Sequence, residues 1–221
     1  MIFVAEDPRL FEPRYAVTSA AHHLRMPRST LHSWVSGMGT FKPVLEPPTP
    51  GFLSFVNLTE AFVLFAMRRR YKIQMPRIRD AVSYVESKMG VAHPLAFQQF
   101  RTNYVDLFVR TVAGDVNVSR GGQIRLDELC EELDRIEWQH GRPIALFPIV
   151  TRREDDSSRP IRISPLVAFG RPVLAGTRIP TSVVCGRFYG GESVVELAED
   201  YGIAVSAIEE AVRAESDPAA A

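Results

Sequence analysis

Cysteine is nearly missing from this chain of 221 residues, which carries only Cys130 and Cys185. Two thiols cannot staple a small secreted fold, and their scarcity points to a reducing compartment. Long apolar runs are lacking too: none approaches the roughly 18–20 residues a helix needs to cross a bilayer. The opening residues, Met1-Ile2-Phe3-Val4-Ala5-Glu6-Asp7, place two acids where a secretory signal has basic residues. A cytoplasmic protein is therefore expected. Excess charge of one sign is also absent, because 26 Lys plus Arg balance 26 Asp plus Glu. No global field marks the chain as a binder of polyanions.

The patterns of metal and catalytic sites are equally sparse. His22 and His23 are adjacent, so on a helix they point about 100° apart and chelate one ion poorly. His32, His93 and His140 are scattered, and no Cys/His pair has zinc-site spacing. The C-terminal acids form no calcium loop and read as a solvated helix face. No phosphate-cradling glycine loop or nucleophile elbow occurs. Cys185, between Val184 and Gly186, reads as packed in a helix, since nothing near it in sequence would activate its thiol. The expectation is a protein that binds, with no metal, no cofactor and no enzymatic site.

What is present is ordinary globular composition, 46% hydrophobic and 24% charged, in a length that suits two domains. The balanced charge is unevenly spread. Residues 1–80 carry net +5, 81–150 net −2 and 151–221 net −3. Between Pro13 and Leu45 there is no acid, but there are Arg14, Arg25, Arg28 and Lys42. From Glu192 to Asp217 eight acids face Arg213 alone. A polyanion is attracted to the first part and repelled by the last.

Local patterns divide the chain. Two short helices are expected over 14–38, then two extended runs, 41–45 and 51–56, reversing through Pro47, Pro48 and Pro50. Asn57 and Thr59 offer caps for a helix to about residue 70, and Pro76 opens another over 77–89, stopped by Gly90. The aromatic and β-branched stretch 97–118 reads as strands. Asp127 is expected to cap a helix to about residue 139, and 143–150 to form a buried strand. The polar segment 151–159 reads as a linker, followed by a strand over 161–164, a Gly/Pro-rich loop and three helices.

The first sharp motif lies in 17–35. Ala20, Ala21 and Leu24 form the inward face of one helix, and Arg25-Met26-Pro27 make the turn, with Met26 as a plug. Leu31, Trp34 and Val35 line the second helix at i, i+3, i+4 spacing. Arg28, Ser29, Thr30, His32 and Ser33 are then left facing outward. This is a helix-turn-helix pattern whose second helix suits the major groove, Arg28 matching guanine and the hydroxyls matching phosphate or base edges. A hairpin in the wing position would carry Lys42 to the adjacent DNA backbone. Arg68, Arg69 and Arg70 end the following helix, where cations complement its dipole. The order of helix, turn, helix, hairpin and helix over 14–90 resembles the winged helix-turn-helix of the MerR family of DNA-binding proteins.

The second motif is Gly170-Arg-Pro-Val-Leu-Ala-Gly-Thr-Arg-Ile-Pro180. Gly170 and Gly176 permit conformations closed to other residues, Pro172 and Pro180 fix φ on either side, and Val173, Leu174 and Ile179 anchor inward. Thr177 and Arg178 are thereby presented on a rigid turn. Followed by Ser193-Val-Val-Glu-Leu-Ala and Tyr201-Gly202, this motif resembles the VapB-like antitoxins of type II toxin–antitoxin pairs over about 159–215. The resemblance implies a PIN-like ribonuclease toxin as partner. By pattern, 193–214 also forms a second helix-turn-helix, but its carboxylates suit protein contact or dimerisation better than DNA. Carboxylates of the toxin's metal site make Arg171 and Arg178 candidate contacts, since a guanidinium matches a carboxylate.

The expected architecture is α+β: a winged helix-turn-helix over 1–90, a central α/β extension over 91–150, a linker over 151–159 and a small three-helix domain over 160–221. The expected function is an antitoxin that binds its toxin and operator DNA as a homodimer. The alternative is a small-molecule-responsive MerR-like regulator in which Phe97, Phe100, Tyr104 and Phe108 line a pocket, although a core uses the same residues.

Overall fold

In the computed structural model, residues 7–39, 42–71, 74–105, 107–108, 111, 126–149, 151–153 and 156–216 are described. Helix α3 (Phe55–Tyr71) is the spine of the larger core. Every residue from Leu53 to Leu64 is buried, so this helix shows no solvated face along its first half. The polar residues inside that run are satisfied locally. Ser54 Oγ accepts from the Asn57 N–H at 3.1 Å, and Asn57 Oδ1 accepts in return from the Ser54 N–H at 3.1 Å. The cap is therefore Ser54, and Asn57 and Thr59, expected as caps, lie inside the helix. Thr59 donates its hydroxyl to the Phe55 carbonyl at 2.9 Å.

Helices α1 (Val17–His23), α2 (Arg28–Ser36) and α4 (Met75–Met89) contribute to the same core, the last closed by left-handed Gly90. The wing hairpin does not form as expected. Residues 42–45 contain no strand, and the Val44 and Leu45 N–H groups instead donate to the Trp34 carbonyl at the end of α2. Strand β2 (Phe52–Leu53) pairs antiparallel with β1 (Tyr15–Ala16), immediately before α1. The stretch expected as strands over 97–118 is, after an extended Phe97, helical where it is described, including a π-helical segment, Phe100–Tyr104. Phe100 and Phe108 meet edge to face with ring centres 5.6 Å apart in the core. Residues 106, 109, 110 and 112–118 of that expectation lie outside the described residues.

Helix α5 (Leu126–Leu133) is shorter than expected, because 136–139 belongs to a hairpin, β3 (Ile136–Gln139) with β4 (Arg142–Leu146). Its two-residue turn, His140-Gly141, has φ of 51° and 79°, as a twist-matched hairpin demands. Strands β5 (Thr151–Arg153) and β6 (Asp156–Ser158) pair with each other, in the segment read as a linker. Then β7 (Ile161–Arg162) pairs with β8 (Val173–Leu174), and Ile163 exchanges two backbone hydrogen bonds with Leu146. Helices α6 (Thr181–Tyr189), α7 (Val194–Tyr201) and α8 (Val205–Glu215) follow where three helices were expected. They enclose a second, smaller core of Leu174, Val184, Leu197, Ala198, Ile208 and Ala211. Helices beside small antiparallel sheets make the fold α+β.

Two contacts tie distant segments together. Glu60, buried in α3, meets His93 with Oε2 and Nδ1 2.8 Å apart. The second contact joins β1 to the loop before β8. Arg14 donates to the Phe169 carbonyl at 3.2 Å, and Gly170 (φ 82°) lies so close that a Cβ there would sit 2.6 Å from both Arg14 Cδ and Tyr15 Oη. The Tyr15 hydroxyl is buried without a hydrogen-bond partner among the described residues, and burial raises its pKa.

These contacts give two predictions, and the open surroundings of Gly186 give a third. Burial raises the Glu60 pKa, with His93 opposing. At His93 burial works downward, but the Glu60 carboxylate, with Glu86 and Glu46 behind it, leaves the imidazole above its ordinary 6.5. A raised histidine stabilises the fold below its unfolded value, and that contribution is lost as pH rises through the folded value. The stability advantage of wild type over His93→Asn is thus roughly 1–3 kcal/mol at mildly acidic pH and shrinks at alkaline pH. Urea denaturation across pH checks it; a pH-independent difference contradicts it. In the same assay Gly170→Ala costs about 2 kcal/mol or more, from a left-handed φ and a steric clash together. Gly186→Ala, in α6 with nothing within 4 Å of the new methyl, stabilises by about 0.5–1 kcal/mol.

Candidate nucleic-acid and partner interface

The turn between α1 and α2 is built by backbone hydrogen bonds. The Met26 N–H donates to the Ala21 carbonyl at 3.0 Å, and the Arg25 N–H donates to that of His22 at 2.9 Å. This is the Schellman arrangement, in which the residue after the cap must be left-handed. Glycine suits that position, yet the chain has Arg25 there at φ 50°. Met26 is buried against the same turn. On α2, Leu31, Trp34 and Val35 face the core, whereas Arg28, Ser29 and His32 are exposed and Thr30 and Ser33 half-buried. Arg25, Arg28, Ser29 and His32 thus lie on one small unit. Ser33 is partly committed, its hydroxyl donating to the Thr30 carbonyl at 2.8 Å. Lys42 is exposed, and its carbonyl accepts from Arg79 of α4 at 3.2 Å, close in sequence to the segment docked on the end of α2. Burial, with His22 beside it, holds the His23 imidazole down at about 4. His23 is therefore neutral at physiological pH and adds no charge to this face.

The motif that follows β7 forms a closed turn. The Leu174 N–H donates to the Ile179 carbonyl, and the Thr177 N–H donates to that of Leu174, each at 3.0 Å. Thr177 Oγ1 donates to the Leu174 carbonyl at 2.9 Å and accepts from the Ile179 N–H at 3.0 Å. The Thr177 hydroxyl is thus used to shape the turn. Arg171 and Arg178 are exposed, and neither side chain has a hydrogen bond or ion pair with a described residue.

The acids of the C-terminal helices are largely engaged, which the expectation of a freely solvated face missed. Arg187 bonds Glu192 and, at 2.6 Å, Asp200, and it lies 4.9 Å over the Tyr201 ring. Glu196 closes a capping box with Ser193. Glu210 pairs with Arg213, and Glu215 accepts from the Thr181 hydroxyl.

The second helix-turn-helix repeats the backbone geometry of the first. The Ile203 N–H donates to the Ala198 carbonyl at 3.0 Å and the Gly202 N–H to that of Glu199 at 3.2 Å, matching the bonds of Met26 and Arg25. The next helix opens alike: Thr30 and Leu31 donate to the Pro27 carbonyl, and Ala207 and Ile208 donate to that of Ala204. Gly202, at φ 64°, stands where the first unit has Arg25. Aligned this way, Leu31 corresponds to Ile208 and Trp34 to Ala211, all buried. His32 corresponds to Glu209. The scaffold is the same and the outward chemistry differs.

Among the described residues, no helix is long and apolar enough to cross a membrane, and no group of three or more His, Cys, Asp or Glu could hold a metal ion. Residues 161–213 match a family described as "Protein of unknown function (DUF433)". At 25% identity the chain is similar to "Putative antitoxin VapB45" from Mycobacterium tuberculosis (strain ATCC 25618 / H37Rv), over 91% of this chain and 93% of that protein. It is 27% identical to "Uncharacterized protein Rv2308" of the same organism, over 85% of this chain and 83% of the other. The crystal structure of Rv2018 from Mycobacterium tuberculosis superposes with a TM-score of 0.73 at 25% identity, covering 92% of this chain and 99% of that one. The chain is thus similar, over nearly its whole length, to a protein named as an antitoxin.

Proposed function

We propose that the chain is the antitoxin of a type II toxin–antitoxin pair, which neutralises a PIN-like ribonuclease by direct binding and autoregulates its operon on DNA. The observation that carries this reading is the near full-length similarity to a protein named as an antitoxin. A helix-turn-helix whose outward face is cationic or polar supports the DNA half. Residues 1–90 form the DNA-binding unit, 91–150 an extension of it, and 160–221 the partner-binding unit. Arg28, Ser29, Thr30, His32 and Ser33 read the major groove, while Arg25 and Lys42 hold phosphates. Arg171 and Arg178 form the part of the toxin contact that meets its carboxylates, and Thr177 belongs to that contact by holding the turn that presents Arg178. A homodimer presents two α2 helices to half-sites about 34 Å apart. Toxin occupancy and operator affinity are then coupled by reciprocal linkage.

Arg25 offers the sharpest test of the DNA half. A non-glycine residue in the left-handed region costs roughly 1–2 kcal/mol, and strain of this kind is retained where the side chain has work to do. Arg25→Gly is expected to raise stability by up to about 1 kcal/mol while weakening operator binding. Arg28→Ala is expected to cost about 1–3 kcal/mol of binding and to relax base preference at one position. Fluorescence anisotropy on the operator duplex across a salt series, with thermal melts alongside, measures both. If Arg25→Gly binds the operator like wild type and with the same salt slope, the DNA role of this turn is wrong. The toxin half is tested by co-expression with the product of the neighbouring gene: rescue of growth and copurification are expected, and unrelieved toxicity contradicts the reading.

A further inference from the structure

The non-glycine residues in the left-handed region are Arg25, His93, His140, Ala168 and Phe169. His140 serves a hairpin turn, His93 meets Glu60, and Arg25 closes the Schellman turn. Ala168 and Phe169 remain. With Gly170 they make three successive left-handed residues, at φ 46°, 56° and 82°. Only the glycine adopts such a φ without strain. The product of that strain is a phenylalanine side chain held in water: Phe169 is 80% exposed, and Leu166 nearby is 38% exposed. Phe169 is tied to the rest of the molecule through its backbone carbonyl, which accepts from Arg14.

The surroundings of this ring specify a partner. From Ser157 to Gly191 the chain contains no Asp or Glu but five arginines. Arg159 donates to the Asp134 carbonyl, Arg162 pairs with Glu137, and Arg187 pairs with Glu192 and Asp200. Arg171 and Arg178 are exposed without a partner among the described residues. This stretch therefore presents one aromatic knob and, among the described residues, two uncommitted guanidiniums. Residues 165–170, Pro-Leu-Val-Ala-Phe-Gly, have no polar side chain at all. No side chain of that loop can donate to a phosphate, and an exposed aromatic ring gains most by leaving water for an apolar pocket. A protein socket that is apolar inside and carboxylate-lined at its rim matches both features.

We propose that Phe169 is the anchor by which the C-terminal unit docks on the ribonuclease of the proposed pair, its ring filling an apolar socket while Arg171 and Arg178 meet carboxylates at the rim. This rests on the antitoxin reading and adds the residue that seats the partner. The strained loop pre-sets the ring, so little conformational freedom is lost on binding. The same loop touches Arg14 and Tyr15, directly before α1, which places the docking site against the DNA-binding unit.

The experiment uses the full chain and the ribonuclease proposed as its partner, held inactive by removal of its divalent metal with EDTA so that its carboxylates are kept, in isothermal titration calorimetry. Phe169→Gly is expected to lose about 30-fold or more in affinity, the scale of an interface hot spot, while its melting temperature stays equal or rises because the backbone strain is relieved. Phe169→Leu is expected to keep most of the affinity, and Arg178→Glu to lose about 10-fold or more, since a like charge then faces the rim. Wild-type affinity in Phe169→Gly overturns the anchor and leaves the antitoxin reading standing. Failure of the wild-type chain to bind the ribonuclease overturns both. Two further outcomes would move the loop to another role and overturn the proposal: loss of duplex DNA binding with ribonuclease affinity intact, or conversion of a dimer to a monomer by light scattering with that affinity intact.

Discussion

The chain's two helix-turn-helix units depend on one local constraint: a left-handed residue that lets a backbone N–H reach back to the fourth carbonyl from the helix end. Met26 bonding Ala21 closes the first unit, and Ile203 bonding Ala198 closes the second. Without that bend the following helix cannot fold back, and neither Leu31 and Trp34 nor Ile208 and Ala211 reach their cores. Gly202 adopts the bend at no steric cost. Arg25 adopts it against its preference, and the strain leaves a guanidinium at the corner of the unit.

The repeated scaffold carries opposite outward chemistry. The first unit shows Arg25, Arg28 and His32, with no acid between Pro13 and Leu45. The second carries carboxylates, most of them held internally by Arg187, Arg213, Ser193 and Thr181. That internal pairing explains how eight acids share a short stretch with a single arginine, because Arg187 and Thr181 come from the preceding helix. Between the two units, the fit of Gly170 against Arg14 and Tyr15 fixes where the motif loop meets the strand that leads into α1.

Much of this was legible in the residues. The i, i+3, i+4 spacing of Leu31, Trp34 and Val35 placed α2 and its inward face correctly. Gly90 marked the end of α4, and the Gly170-to-Pro180 motif located a rigid turn. The failures have physical causes. Phe100, Tyr104 and Phe108 recur every four residues, a helical period, but aromatic and β-branched composition favoured strands. Phe52 and Leu53 pair with Tyr15 and Ala16 far upstream, which no local reading of a wing hairpin detects. The left-handed state of Arg25 and Phe169 was equally hidden, since sequence signals for that state come from glycine and asparagine. Nothing local to Glu60 signals its partner, because His93 lies 33 residues downstream and reaches it only through the fold.

The proposed division of labour sets one end of the chain on DNA and the other on a protein. It is tested most directly by a single variant, Arg25→Glu/Arg28→Glu, assayed in cells for operator occupancy and for rescue from the ribonuclease proposed as its partner. The account predicts that occupancy is lost while rescue persists. Occupancy unchanged from wild type, or loss of rescue in a variant that folds normally, would contradict it.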